Sequence, residues 1–161
     1  MQINYRRRLA PIANGTLVAG GARNSVSGVY SSVLGGVTNT VSAYCSSILG
    51  GGHNNIAMGS NYSAITGGVC NTTCGIYTSV GTGLCNVVTG AHSAVFGGSC
   101  NTVSGSYQYA GIFGCNITAV ASCALHANNF VAQNMPTIST GITGTFYIHC
   151  AGPGLCYVAI S

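Results

Sequence analysis

The chain has 161 residues, 47% of them apolar, with 25 glycines, no tryptophan and four arginines as its only Asp, Glu, Lys or Arg residues. With Asp and Glu absent, paired-acid glycoside hydrolysis, an acid-oriented catalytic triad and a carboxylate site for magnesium or calcium are excluded. No apolar run reaches the ~18 residues needed to span a bilayer, and the glycine spacing is too long for collagen.

A surface without carboxylates draws its solubility from Asn, Ser, Thr and backbone groups. That suits a subunit of an assembly better than a free monomer. The expectation is therefore a non-enzymatic protein with no catalytic residue, no metal site and no cofactor.

Residues 1–19 read as a basic N-terminal arm. Arg6, Arg7 and Arg8 form the one charge cluster, and Leu9 to Ala13 follow it. A secretory signal needs a longer apolar run, and here Pro11, Asn14, Gly15 and Thr16 interrupt it. The arm is either a docking element for an acidic partner surface or a solvated terminus.

Residues 20–129 repeat one short phrase, G-G-x-x-N-x-V-S-G-x-Y-S-x-V-x. Its asparagine recurs at Asn24, Asn39, Asn55, Asn71, Asn86, Asn101 and Asn116, with gaps of 15 or 16 residues. Glycine stands three positions earlier at Gly21, Gly36, Gly52, Gly68, Gly83 and Gly98. An aliphatic residue closes the copies at Val33, Ile48, Ile65, Val80 and Val95, with Ile112 in a shortened one. A fixed short period means stacked coils, none of which buries its apolar face alone.

The fold class expected is all-β: a β-solenoid of about seven coils of 15–16 residues. Each coil should hold two strands of four or five residues, as at Asn24 to Ser27 and Tyr30 to Leu34. Alternation then turns Val26, Val41, Val88 and Val103 inward on the first strand and Val33, Ile48, Ile65, Val80 and Val95 on the second. The Gly-Gly pairs and the series Gly28, Gly59, Gly75, Gly90 and Gly105 are read as turn residues with positive φ. Ala43 and Val120 break that series and mark coils that turn differently or are looser.

The asparagines are expected to form a hydrogen-bonded ladder along the axis. Glycan attachment is the competing reading, but only Asn14, Asn61, Asn71 and Asn116 satisfy N-x-S/T. Cys70, Cys85, Cys100 and Cys115, spaced by 15, should form a column at a rise of ~4.8 Å per coil. They read as buried free thiols, then as disulfides between coils or chains, and last as metal ligands. No C-x-x-C occurs, and His53, His92, His126 and His149 show no ligand spacing. Tyr30, Tyr44, Tyr62, Tyr77, His92 and Tyr107 form an outward row, a candidate attachment face.

Lines such as Gly35-Gly36-Val37-Thr38-Asn39-Thr40-Val41-Ser42 and Gly97-Gly98-Ser99-Cys100-Asn101-Thr102-Val103-Ser104-Gly105 resemble the repeats of phage and large-virus fibre proteins. They are also similar to the head repeats of trimeric autotransporter adhesins. The resemblance covers about two-thirds of the chain. It implies a homotrimer of β-rolls or an intertwined triple β-helix. The absent acids, the cysteine column and the missing membrane anchor depart from autotransporters and favour the virus type.

Residues 130–161 read as a C-terminal β-hairpin cap, with strands from Gly144 to Cys150 and from Leu155 to Ile160 around Ala151-Gly152-Pro153-Gly154. Cys150 and Cys156 flank that turn, either bridged or free. The run from Ala127 to Thr137, then Gly144-Thr145-Phe146-Tyr147, resembles the short closing module of viral fibre and structural proteins, and an open solenoid edge needs covering.

The functional expectation is a structural fibre or spike subunit on a virion or extracellular surface, presenting repeated polar and aromatic rows for attachment. The alternatives are a self-assembling extracellular filament or an ice-binding solenoid. Expected partners are further copies of the chain, as a homotrimer or stacked end to end, other virion or surface proteins through the arginine arm, and host glycans. Neither nucleic acid nor a membrane span is expected.

Overall fold

The computed structural model describes residues 14–128 and the backbone of two further strands, 146–150 and 156–160. Residues 1–129 and 130–161 form two separate compact units.

The first unit is a β-solenoid without helix among its described residues. One parallel sheet holds β1 (Leu17–Val18), β3 (Ser32–Val33), β5 (Ser47–Ile48), β7 (Ala64–Ile65), β9 (Ser79–Val80), β11 (Ala94–Ser99), β13 (Gly111–Cys115) and β14 (Leu125–Ala127), in that order. The facing sheet stacks β2 (Ser25–Val26), β4 (Thr40–Val41), β6 (Asn55–Ile56), β8 (Thr72–Thr73), β10 (Val87–Val88) and β12 (Thr102–Val103). A third row of single bridges links Ala22, Val37, Gly52, Val69, Leu84 and Ser99. The chain alternates between the sheets because each coil is too short to do anything but turn and return above itself.

Most strands are two residues long, shorter than the four or five expected. Each coil spends its remaining residues on corners, and two of these per coil hold a non-glycine residue with φ between 49° and 58°. Such residues are uncommon, because the Cβ crowds the backbone in that region.

Val26, Val41, Val88 and Val103 from one sheet, and Val33, Ile48, Ile65, Val80, Val95 and Ile112 from the other, fill the core. Ile56 joins them, while Thr73 takes the equivalent place in the next coil and is fully buried. Its hydroxyl meets Ser60 Oγ at 3.0 Å, within a buried cluster completed by Ser63 and Thr78. The coil that runs from Ile56 to Thr73 is longer than its neighbours. The turn Ala57-Met58-Gly59-Ser60 closes on a bond from the Ser60 N–H to the Ala57 carbonyl at 3.1 Å. It throws Met58 outward and folds Ser60 in to partner Thr73.

The Gly-Gly pairs hold the expected positive φ at Gly21, Gly36, Gly68 and Gly98, but the other glycine series needs correction. Gly59 has it, at 87°, but Gly28, Gly75, Gly90 and Gly105 do not. Gly28 is required by proximity instead: a Cβ there would stand 1.8 Å from the Ala43 carbonyl oxygen. Ala43 occupies the same corner one coil on and is buried rather than loose. Val120, the other break, is exposed. In the Gly50-Gly51-Gly52 run the positive-φ residue is Gly51, not Gly52.

The second unit contains an antiparallel pair, β15 (Phe146–Cys150) and β16 (Cys156–Ile160), with Cys150 opposite Cys156. Among the described residues no helix is long and apolar enough to cross a membrane.

Candidate functional site: corner columns of the solenoid

Two ladders hold the coils together from within. In the first, each asparagine donates a side-chain N–H to a glycine carbonyl of the next coil, and all but Asn86 donate another to a glycine carbonyl of their own. Asn39 does so to Gly35 at 3.1 Å and Gly51 at 3.0 Å. Its Oδ1 accepts the backbone N–H of the next rung, Asn54, at 3.0 Å. The rungs are Asn24, Asn39, Asn54, Asn71, Asn86 and Asn101.

Two of the expected rungs are corrected. Asn55 lies in β6, beside Thr40 and Thr72, and Asn54 takes the ladder position. The triple glycine followed by two asparagines satisfies the glycine–asparagine spacing in either frame. The missed signal was Ile56: an inward aliphatic follows the rung by two positions at Val26, Val41, Val88 and Val103, which selects Asn54. Asn116 is the other correction. It is exposed at a positive-φ corner, and Ile117 receives the last ladder bond, from its N–H to Asn101 Oδ1 at 3.1 Å. Isoleucine has no amide to continue the ladder, so it stops there.

The second ladder went unread in the sequence. Ser31 Oγ accepts the Ser46 N–H at 3.0 Å, Ser46 Oγ that of Ser63 at 3.1 Å, and Ser63 Oγ that of Thr78 at 3.0 Å. Ser93 does the same for Ala110. Its trace was the hydroxyl residue that follows the corner at Ser31, Ser46, Ser63, Thr78 and Ser93, with Ala110 after Tyr109 the exception. Among the described residues, every buried side-chain nitrogen or oxygen has a partner, as an interior this polar requires.

Outside, the positive-φ corners throw side chains clear of the coil, one above another. One corner column runs Tyr30, Cys45, Tyr62, Tyr77, His92 and Tyr109. Tyr44 precedes Cys45, and its ring enters the row from the side, edge-on to Tyr30 and Tyr62 at 5.7 and 5.6 Å. Tyr62, Tyr77, His92 and Tyr109 then stack nearly parallel with centroids 5.0, 5.0 and 4.8 Å apart. Tyr109 replaces the expected Tyr107, which packs partly buried against the core. Counting back three from the inward Ile112 gives Tyr109, as it gives Tyr77 from Val80. The stacked rings cover one another's faces, so the row offers edges and hydroxyls outward.

The opposite corner column runs Arg23, Thr38, His53, Cys70, Cys85, Cys100 and Asn116. Cys70, Cys85 and Cys100 share it, but Cys115 does not: it pairs with Ser99, one position away. All four thiols are exposed rather than buried, and none is in a disulfide. Side chains at such a corner point away from the core that was expected to hold them. Partial desolvation among its neighbours pushes the Cys85 thiol pKa up, with Cys70 and Cys100 adding to the shift. The Tyr44 hydroxyl is likewise raised, chiefly by its hydrogen bond and charge interaction with Cys45.

Between the corners, large apolar side chains stand outward. Leu34 and Leu49 follow one another on consecutive coils, with Phe96 and Phe113 further along. The bridged row carries Val37, Val69 and Leu84. Leu49 is 49% exposed and Leu84 48%, too much for a core role.

Arg6, Arg7 and Arg8, and the side chains of Cys150 and Cys156, lie outside the described residues. Among those described, no three His or Cys side chains converge on one point. Neither a protein-family description nor a curated protein sequence matches this chain.

Proposed function

We propose that the chain is a non-enzymatic subunit of a fibre or spike, homotrimeric, standing on a virion or extracellular surface. The observation that carries this reading is the pair of outward apolar rows, Leu34 with Leu49 and Val37 with Val69 and Leu84. They run along the rod in a chain that has no acidic residue to keep copies apart. A monomer has no use for aligned apolar rows, whereas a second and third copy laid alongside cover them. The hairpin of the second unit serves as cap and contact between copies, and the arginine arm docks on other virion or surface proteins.

Attachment follows from repetition. Serine, threonine and tyrosine groups recurring on successive coils, and on three chains, add weak contacts through effective concentration. Host glycans fit as ligands through the tyrosine hydroxyls and ring edges, since the ring faces of Tyr62, Tyr77, His92 and Tyr109 are occupied by each other.

Native mass before and after boiling in reductant tests the reading. The expected species is near three times the 16.1 kDa chain, persisting in mild denaturant, and Leu49→Arg shifts it toward the monomer. A clean monomer refutes the fibre. A mass far above three chains favours the filament, in which the solenoid ends stack on one another.

A further inference from the structure

We propose that Tyr62 and Tyr77 are a site of oxidative cross-linking, at which a haem peroxidase with hydrogen peroxide joins the two rings as dityrosine and ties one coil to the next. Among the described residues they are the one pair of tyrosines stacked face to face, with centroids 5.0 Å apart and planes within 8° of parallel, an offset stack with the two π faces in contact. Both side chains are 50% exposed, so an oxidant reaches them from solvent. Their register is fixed from beneath. The Tyr77 N–H bonds the Asn61 carbonyl at 2.9 Å, the Thr78 N–H bonds Ser63 Oγ at 3.0 Å, and the Ser63 and Thr78 hydroxyls meet at 2.9 Å.

The rest of the column lacks this arrangement. Tyr30 with Tyr44, and Tyr44 with Tyr62, meet edge to face at 78° and 84°, which aims one ring at the face of the other instead of laying the two side by side. His92 stands between Tyr77 and Tyr109, 5.0 and 4.8 Å from them, and an imidazole yields no phenoxyl radical. Tyr107 packs against the core.

Each hydroxyl gives one electron and one proton to the oxidant, which leaves two phenoxyl radicals with their unpaired electrons spread onto the ring carbons beside the oxygen. One such carbon from each ring contributes its unpaired electron to a new C–C bond. Each bonded carbon then releases its hydrogen as a proton while its oxygen takes one up, and both phenols are restored. The two electrons and two protons removed reduce one hydrogen peroxide to two waters. Holding the rings in contact makes the coupling step unimolecular. The carbons are tetrahedral when first joined, which keeps the rings facing, and the open corner leaves room to turn about the new bond as they become aromatic again. The bond lies over the seam where Thr73 replaces an inward aliphatic residue, so it reinforces the stacking where the apolar core is interrupted.

The test is oxidation of the full chain, mixed from unlabelled and isotope-labelled protein, by haem peroxidase and hydrogen peroxide. Reduction afterwards opens any disulfide and leaves the C–C bond intact. Elastase digestion and mass spectrometry should find the Tyr62 and Tyr77 peptides joined at a mass two hydrogens below their sum, both carrying the same label. Dityrosine fluorescence should fall by about tenfold in Tyr62→Phe and in Tyr77→Phe, which keep the stacked ring and lose the hydroxyl, and stay unchanged in Tyr109→Phe. Fluorescence retained by Tyr77→Phe overturns the proposal, as does a Tyr44–Tyr62 product in equal yield. Joined peptides that mix the labels overturn it too, because the bond then runs between chains. In urea the preference for this pair should vanish, and its survival there would trace it to closeness along the chain and sink the stacked site. The wild-type peptide map decides the matter even where a variant fails to fold.

Discussion

Asn71 Oδ1 accepts the backbone N–H of Asn86 and one of its side-chain N–H groups, both at 3.0 Å. One oxygen thus fixes the next coil at main chain and side chain together. Both residues are fully buried, so neither bond has water to replace it.

Asn86→Ala removes the acceptor of the buried Asn101 N–H and a donor to the Gly98 carbonyl. A buried polar group left without a partner costs about 1–3 kcal/mol, so a loss of about 3 kcal/mol with the accompanying cavity is expected. Asn116→Ala, on the exposed corner, should change stability by less than about 0.5 kcal/mol. Urea denaturation followed by circular dichroism separates the two. Equal losses would mean that the ladder does not carry the stacking.

Gly35 and Gly36 are adjacent and should respond in opposite ways. A Cβ on Gly35 meets nothing within 4 Å, whereas one on Gly36, at φ 85°, would stand 2.1 Å from the Gly51 carbonyl oxygen. Gly35→Ala should fold with near-native stability. Gly36→Ala should lose more than about 4 kcal/mol or fail to fold, since backbone of the next coil cannot yield. Thermal melts of the pair decide it.

Thr38 holds φ 57°, a conformation especially poor for a β-branched side chain. Asparagine tolerates it, and Asn116 occupies the equivalent corner further along. Thr38→Asn should therefore stabilise the protein by about 1 kcal/mol. An unchanged or lower melting temperature would show that the corner is not strained by its side chain.

The raised Cys85 pKa has a kinetic consequence. Only the thiolate is alkylated, and a thiol whose pKa is raised holds less thiolate at any given pH. Alkylation of Cys85 by iodoacetamide, read by peptide mass, should rise through its midpoint above the pH expected of a free cysteine. The Cys70→Ser/Cys100→Ser variant should bring that midpoint down, because the neighbouring charges are gone. A midpoint at the ordinary thiol value in the wild type contradicts the coupling.

Much of the fold is local enough to read directly. A period near 15 with one inward aliphatic per strand leaves a stacked β-coil as the one economical arrangement, and Val26, Val33, Ile48 and Val95 are buried as alternation requires. The errors of frame fell where two residues one or two positions apart satisfied the same pattern: Gly51 or Gly52, Asn54 or Asn55, Tyr107 or Tyr109, Cys115 or Asn116. Spacing between like residues cannot choose between such frames. Distance to the inward aliphatic can, because that residue cannot slip by one without turning its side chain to solvent.

The chain alone determined the solenoid, its apolar interior and the existence of an asparagine ladder, since all three follow from a repeated short-range pattern. Only the tertiary structure decided which side chains share a corner. Stacking fixes that through backbone bonds between coils, and it is the left-handed corners that turn cysteines and tyrosines outward. The same stacking made the long coil bury Ser60 against Thr73. No residue in the sequence announces that contact, because it depends on where the coil above happens to lie.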